Sequence, residues 1–165
     1  MNIVLQPVGG RDAVHHYEST VKIFVKFEQL NPFVKDYVKQ QLSIIYPQKE
    51  CKIWGVTSGK RNINVTKYNK LMKNDVVLFV NDQGVFKKAT ITFLERNANL
   101  AKSLWGVDRD GNTWENIYFL SNLESLEMDY YELNTILKRQ LNARVQGFTV
   151  IDAMNCVDLM LKVTK

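Results

Sequence analysis

The stretch DVVLFVNDQGVFKKATITFLE, residues 75–95, decides the fold expected of this chain. Two segments rich in β-branched and aromatic residues, 75–80 and 85–95, flank the turn sequence NDQG. This is the arrangement of a β-hairpin. Another strand is predicted for CKIWGVT at 51–57, and an aromatic one for WENIYFLSNL at 114–123. The centre of the chain is therefore expected to be a β-meander or barrel.

Helical patterns lie on both sides of this centre. Asn31 is interpreted as an N-cap and Pro32 as the first residue of a helix that ends before Pro47. Residues 21–27 fit a strand and a loop equally well, and residues 1–5 fit a strand. Helices are predicted for residues 11–20, 31–46, 66–71, 98–105, 129–141 and 149–161.

A chain of 165 residues is the size of one ordinary domain. Strands in the middle with helices at both ends predict an α+β fold, a small β-barrel flanked by helices. The expected parts are an N-terminal strand and helices at 1–48, a barrel core at 49–128 and C-terminal helices at 129–165. We expect this single domain to be the N-terminal part of a larger protein.

The composition indicates a soluble globular protein with an excess of positive charge. Lys and Arg number 22 against 17 Asp and Glu, a formal charge of +5, which favours a polyanionic partner without requiring one. Cys51 and Cys156 are too few and too far apart for a zinc ribbon or a disulfide framework. Neither a signal sequence nor an apolar run of about 18 residues is present, so we expect a cytoplasmic protein without membrane contact.

Residues that could carry catalysis are scarce. His15 and His16 are adjacent, and neighbouring side chains on a helix point about 100° apart, so a surface or capping role is predicted for them rather than metal binding. Asp108, Asp110 and Glu115 faintly resemble the carboxylates of a nuclease, but DRDGN is more simply an Asp-Gly turn. We therefore predict a binding domain with no catalytic residue, no metal and no cofactor.

The three tryptophans are the most informative residues. Trp54 precedes a polar, cationic loop, and Trp105 and Trp114 enclose a short loop rich in hydrogen-bonding groups. A single tryptophan is most often part of a core. Aromatic faces beside basic residues are also what a base extruded from a duplex requires, because two indoles can restore the stacking that the base has lost.

Several motifs between residues 50 and 120 resemble those of one protein group. They are Ile53-Trp54-Gly55-Val56-Thr57, Gly59-Lys60-Arg61-Asn62, Lys73-Asn74-Asp75-Val76-Val77-Leu78-Phe79-Val80, Leu104-Trp105-Gly106 and the run from Gly111 to Phe119. Together they are similar to the YTH and EVE domains of the PUA-like group and to the N-terminal domains that precede McrB-type restriction motors. Asn74 stands where a glycine is usual, and asparagine also tolerates a left-handed backbone.

The resemblance implies an aromatic cage for a modified base. Trp54 would be one wall and Trp105 or Trp114 the other, with the remaining tryptophan in the core. Thr57, Ser58 and Asn62 would contact the polar edges of the base. Phosphate contacts would come from basic side chains, for which a solvated basic face is the alternative: Lys60, Arg61, Lys67, Lys70 and Lys73.

The function expected from the resemblance is DNA recognition in a modification-dependent restriction system. The domain would flip N6-methyladenine or a modified cytosine of a methylated duplex into the cage. A McrB-type AAA+ motor and a nuclease subunit would be the partners. Three alternatives remain open: a pseudobarrel DNA-binding domain that reads unmodified bases in the major groove, an RNA methyladenosine reader, and a small metal-dependent nuclease.

Overall fold

The computed structural model describes residues 1–164, whose strands form one mixed sheet. The strands are β1 (Asn2–Pro7), β2 (Val25–Lys26), β3 (Glu50–Val56), β4 (Val76–Val80), β5 (Gly84–Arg96), β6 (Asn116–Asp129) and β7 (Thr149–Asp152). Their order across the sheet is β2-β3-β6-β5-β4-β1-β7. β1 runs parallel to β4, and the other neighbours are antiparallel.

The expected closed barrel is wrong, although the α+β class is confirmed. Within residues 1–164 the hydrogen-bonded order ends in two different strands, β2 and β7, so the sheet is open. Closure would need these two edges to pair with each other. β2 has only two residues and pairs with β3, and β7 has four and pairs with β1. Both edge strands are therefore short.

The hairpin that was expected to organise the fold is confirmed. β4 and β5 pair antiparallel, from Val76 opposite Thr90 to Val80 opposite Val85. The Asn81 side chain accepts hydrogen bonds from the backbone N–H groups of Gln83 and Gly84, at 2.9 and 3.2 Å. An Asx turn of this kind lets the chain reverse within four residues.

The helices surround this sheet. They are α1 (Arg11–His16), α2 (Phe27–Leu30), α3 (Asp36–Ile45), α4 (Ile63–Tyr68), α5 (Ala98–Trp105), α6 (Tyr130–Ile136) and α7 (Val157–Val163). A π-helix at Tyr17–Val21 continues α1, and 3-10 turns lie at Lys60–Asn62 and Ala153–Asn155. None of the helices within residues 1–164 has the length and hydropathy of a membrane-spanning segment.

Local capping explains where the best-predicted helices begin. The helix expected at 98–105 is confirmed as α5. It begins at Ala98 because the Asn97 side chain caps it, accepting a hydrogen bond from the Leu100 N–H at 2.9 Å. Asp129 caps α6 in the same way, accepting from Glu132 N–H at 2.8 Å. That helix ends at Ile136, earlier than expected.

Three other helix predictions need correction. Asn31 is not an N-cap: it follows α2, which buries Phe27 and Leu30 before the chain turns, and the long helix starts only at Asp36. The helix expected at 66–71 is α4, which begins earlier, at Ile63.

The third correction concerns the C-terminal segment. The helix expected at 149–161 is wrong over its first four residues, which form β7 instead. Thr149, Val150 and Ile151 are β-branched, which favours extended backbone, and β1 offers them a free edge in register from Leu5 to Asn2. Helix α7 therefore begins only at Val157.

The strands send alternate side chains to opposite faces of the sheet. One face packs Val4, Val77, Phe79, Trp54 and Tyr118 into a single apolar cluster. The opposite face is covered by α6 and α7 over β1 and β4, and by α2, α3 and α5 over β3 and β6. The π-helix lies on the first face, which positions α1 beside Trp54.

Candidate functional site

The three tryptophans come from three separate elements and meet at one place. Trp54 lies in the middle of β3 and is 2% exposed. Trp105 is the last residue of α5, and Trp114 lies in the loop before β6, not on the strand that was predicted to begin there. Both are half-buried. The sequence predicted that only one of Trp105 and Trp114 would lie beside Trp54, whereas both do, and we call the three residues the indole cluster.

His16 lies at the centre of the indole cluster. Its ring centroid is 4.2 Å from that of Trp114, 5.4 Å from that of Trp105 and 6.4 Å from that of Trp54. The side chain is 3% exposed, so the surface or capping role predicted for it is wrong, while His15 is exposed as expected. The space between the indoles is thus filled by an imidazole.

Burial changes the acid-base behaviour of this imidazole. Desolvation lowers the pKa of His16 from 6.5 to about 4, against an opposing attraction from Asp12, and His15 lowers it further. His16 is consequently neutral at pH 7, with one ring nitrogen a donor and the other an acceptor. No hydrogen bond joins its side chain to another residue within 1–164.

A glycine is required where Trp105 and Trp114 approach β3. A Cβ added to Gly55 would lie 2.3 Å from the carbonyl oxygen of Trp114 and 2.6 Å from the Trp105 ring. Real Cβ atoms essentially never come so close. The glycine of the IWGVT motif therefore permits Trp105 to rest directly against the strand backbone.

Thr20 connects the indole cluster to the neighbouring backbone. Its Oγ1 accepts a hydrogen bond from Trp105 Nε1 at 3.3 Å and lies 2.8 Å from the Ile53 carbonyl and 2.9 Å from the His16 carbonyl. One hydroxyl thus joins the π-helix, β3 and the end of α5. Thr20 could not be identified from the sequence, because Ile53 and Trp105 lie far from it along the chain.

Two buried polar atoms at the site have no hydrogen-bond partner among residues 1–164. They are Trp54 Nε1 and Asn116 Oδ1. Asn116 is opposite Val56 in the pairing of β3 with β6, and its Nδ2 donates to the Val56 carbonyl at 3.0 Å. Unpaired buried groups cost free energy and are uncommon in native proteins. Neither atom was identified from the sequence.

The residues predicted to read the edges of the base lie beyond the end of β3. Ser58 donates a hydrogen bond to the carboxylate of Glu115, and Arg96 donates to Ser58 Oγ at 3.4 Å. The Thr57 carbonyl accepts from Asn64 Nδ2 at 3.1 Å. Asn62 is exposed, and its side chain makes no hydrogen bond to the described residues. Glu115, next to Trp114, was thus overlooked as a partner of Ser58.

The five basic residues predicted to bind phosphate differ in their surroundings. Lys60, Arg61, Lys70 and Lys73 are exposed, whereas Lys67 is half-buried and donates to the Phe148 carbonyl at 2.7 Å. Within residues 1–164 none of the five forms a salt bridge. Their charge is therefore not neutralised by a neighbouring carboxylate.

Comparisons with known proteins identify the fold. No known family model matches the chain, and a search of curated proteins found no match. Among solved structures it is similar to the N-terminal domain of Thermococcus gammatolerans McrB bound to m5C DNA. The TM-score is 0.69 over 100% of both chains, at 17% sequence identity. The chain has the fold of a McrB N-terminal domain.

The carboxylates of the alternative nuclease site are not gathered in this McrB-type fold. Asp108 accepts hydrogen bonds from the backbone N–H groups of Asp110 and Asn112, both at 2.9 Å, which makes it the anchor of a turn. The Asn112 N–H also lowers the pKa of Asp108. Glu115 is engaged with Ser58. Among the described residues no three His, Cys, Asp or Glu side chains are placed to hold one metal ion.

A cavity of about 700 Å³ lies elsewhere in the McrB-type fold, between α6, the segment that follows it, β7 and α7. Its walls include Leu5 and Ile151, and its rim carries Lys67, Arg139 and Arg144. None of the three tryptophans lines it. The cavity and the indole cluster are thus two separate places where a ligand could be accommodated.

Proposed function

We propose that this chain is a DNA-binding domain that recognises a modified base, extruded from the duplex, within the indole cluster. The observation that carries the proposal is the meeting of Trp54, Trp105 and Trp114 around one buried position. The McrB-type fold supports it, because the solved domain of that fold was bound to m5C DNA.

Indole rings supply the interaction that base flipping needs. Extruding a base costs a few kcal/mol of stacking and pairing. Stacking on an aromatic side chain returns about 1–3 kcal/mol per base. A methyl group on the base adds apolar contact, which favours the modified base over its unmodified counterpart. Three indoles around one position can therefore stabilise an extruded base.

The polar groups beside the cluster suit a base with an exocyclic amine. Cytosine presents its amine as a hydrogen-bond donor, and a glutamate is a natural acceptor for it. Glu115 is half-buried, adjacent to Trp114 and already accepts from Ser58. N6-methyladenine also keeps one amine hydrogen. We favour a modified cytosine because the McrB domain of the same fold carried m5C DNA.

The exposed basic residues supply the sequence-independent part of binding. Lys60 and Arg61 lie immediately after the segment that carries Trp54, and Lys70 and Lys73 follow α4. Unpaired cations of this kind bind backbone phosphates and release counterions, which makes the affinity depend on salt. Lys67 has a weaker claim, because its ammonium group is already bonded to the Phe148 carbonyl.

The same proposal assigns roles to this chain and to its partner subunits. The chain would be a single domain that reads DNA, while a McrB-type AAA+ motor and a nuclease subunit supply motion and cleavage. The YTH- and EVE-like kinship proposed from the motifs around Trp54 and Trp114 agrees with this role. Catalysis would then reside in another domain or subunit.

Binding of defined duplexes at fixed salt tests the proposal. The panel contains one duplex with m5C, one with N6-methyladenine and their unmodified forms. Changing Trp54, Trp105 or Trp114 to alanine should weaken binding of the modified duplex by about 1–3 kcal/mol, roughly 5- to 150-fold. Tyr37→Ala is the matched control, because Tyr37 is an exposed aromatic residue on α3.

The outcome also distinguishes the two places where a ligand could bind. If the tryptophan variants bound the modified duplex like the wild type, the indole cluster would not be the base site. If Ile151→Trp, which fills the cavity beside β7, weakened binding of the modified duplex instead, that cavity would be the base site. Equal affinity for modified and unmodified duplexes would refute the recognition of a modification.

A further inference from the structure

In this structure an imidazole occupies the place that the proposed function assigns to the base. The His16 ring is tilted by 35° against Trp105 and stands at 87° to Trp114. It also meets Trp54 at 68°. A base stacked among these indoles would overlap with this ring, so both cannot be present in the arrangement observed.

Packing alone holds the imidazole. Neither ring nitrogen of His16 is hydrogen-bonded to the described residues, and neither is among the buried atoms that lack a partner. A side chain fixed by a hydrogen bond would have to break that bond before it could move. His16 loses only aromatic contacts on leaving.

Two glycines and a π-helix flank the short helix that carries His16. Helix α1 has six residues, and Gly9 and Gly10 precede it with no atom near the position of an added Cβ. After His16 the helix changes to a π-helix, a geometry that often marks functional segments. Of the α1 residues, only Ala13 and His16 turn toward the protein.

We propose that His16 is a competing occupant of the aromatic cage, which an extruded base must displace. The inference rests on the proposed function, since it concerns the same cage. In the free protein the imidazole fills the space between the indoles. When the modified base enters, the His16 side chain swings out toward solvent and the base takes its contacts.

This arrangement makes His16 a determinant of specificity. The cage is open in only a fraction of the free molecules, because His16 fills it in the others. The apparent affinity of every base that enters the cage is reduced in proportion to that fraction. Binding through phosphates alone does not require that step. A modified base gains enough contact to displace His16, whereas an unmodified base leaves the protein in the phosphate-bound mode.

The decisive experiment uses the two histidines of the chain as matched probes. In a ¹H–¹³C spectrum of the wild-type protein, ring currents from the three indoles should shift the His16 ring signals, while those of exposed His15 should stay near their usual positions. Adding the m5C duplex should move the His16 signals toward those of His15. The unmodified duplex, at equal saturation, should leave them in place.

Two variants complete the test. We expect His16→Ala to bind the modified duplex about 5-fold or more tightly, because no displacement is needed. His15→Ala should bind like the wild type. If His16→Ala weakens binding and the His16 signals stay shifted in the complex, the residue is a wall of the cage and the proposal is overturned.

These results can be told apart from failure of the proposed function. If Trp105→Ala weakens binding of the modified duplex but His16 does not respond, the cage is correct and the displacement is wrong. If neither tryptophan nor histidine changes have an effect, the cage itself is wrong. The spectrum of the wild-type protein keeps the test valid even if His16→Ala fails to fold.

Discussion

The ring of His16 meets the ring of Trp114 edge to face, with centroids 4.2 Å apart and an angle of 87° between the planes. Such a contact is favourable for an aromatic pair beyond the area it buries. It brings the N-terminal helix against the loop that precedes β6. Burial in this contact disfavours the charged imidazole, which makes the stability of the protein depend on pH.

Acid should destabilise the protein between pH 6.5 and about 4. The pKa of His16 is 6.5 in the unfolded chain and about 4 in the folded one, because burial disfavours the charged ring. Within this window the unfolded state binds more protons, so the free energy of unfolding decreases as the pH falls and is fully retained above 6.5.

The charged groups that act on His16 are Asp12 and His15, both on α1, while β3, α5 and the loop before β6 contribute indoles. Chemical denaturation at a series of pH values measures the effect. His16→Gln should flatten the profile in this window, and His15→Gln should retain it. A wild-type profile that does not change below pH 6.5 would contradict burial of a neutral imidazole.

Gly55→Ala should distort the indole cluster. The new methyl group would meet the Trp114 carbonyl at 2.3 Å and the Trp105 ring at 2.6 Å, so one of the two must shift. We expect a loss of about 1–3 kcal/mol in the free energy of unfolding and a change in tryptophan fluorescence. Gly147→Ala, where nothing lies within 4 Å, is the control and should be close to neutral.

Thr20→Val should loosen the attachment of Trp105. The substitution keeps the shape of the side chain but removes the oxygen that accepts from Trp105 Nε1 and lies beside the Ile53 carbonyl. Loss of buried hydrogen bonds of this type costs about 1–3 kcal/mol. Thr20→Ser retains the hydroxyl and should preserve most of the stability. Equal melting temperatures for the two variants would show that the hydroxyl is unimportant.

Lys60→Ala and Arg61→Ala should weaken binding of modified and unmodified duplexes by the same factor. Each substitution should also reduce the slope of log affinity against log salt by about 1. Titrations at several salt concentrations measure both effects. Lys39→Ala is the control, because Lys39 forms a salt bridge with Asp36 on α3. A loss restricted to the modified duplex would place Lys60 or Arg61 at the base and not at phosphate.

Much of the local structure could be predicted because its signals lie within a few residues. The 75–95 hairpin follows from β-branched segments around NDQG, and α5 has the bounds predicted from residues 98–105. The helix predicted at Thr149–Asp152 is wrong because the conformation of these residues does not depend on their neighbours in sequence. Their conformation is set by pairing with β1, at the other end of the chain. Whether the sheet closes likewise depends on whether its two edge strands, β2 and β7, pair with each other, and short-range pattern does not determine that.

The sequence by itself determined that this chain has strands at its centre, helices at its ends and three tryptophans beside turns and basic residues. Composition and short-range pattern are sufficient for that. Only the tertiary structure decided that His16 fills the space between those tryptophans, that Gly55 admits Trp105 and that Thr20 holds it. The reason is physical: these contacts join residues far apart in the chain, and sheet register and helix packing bring them together.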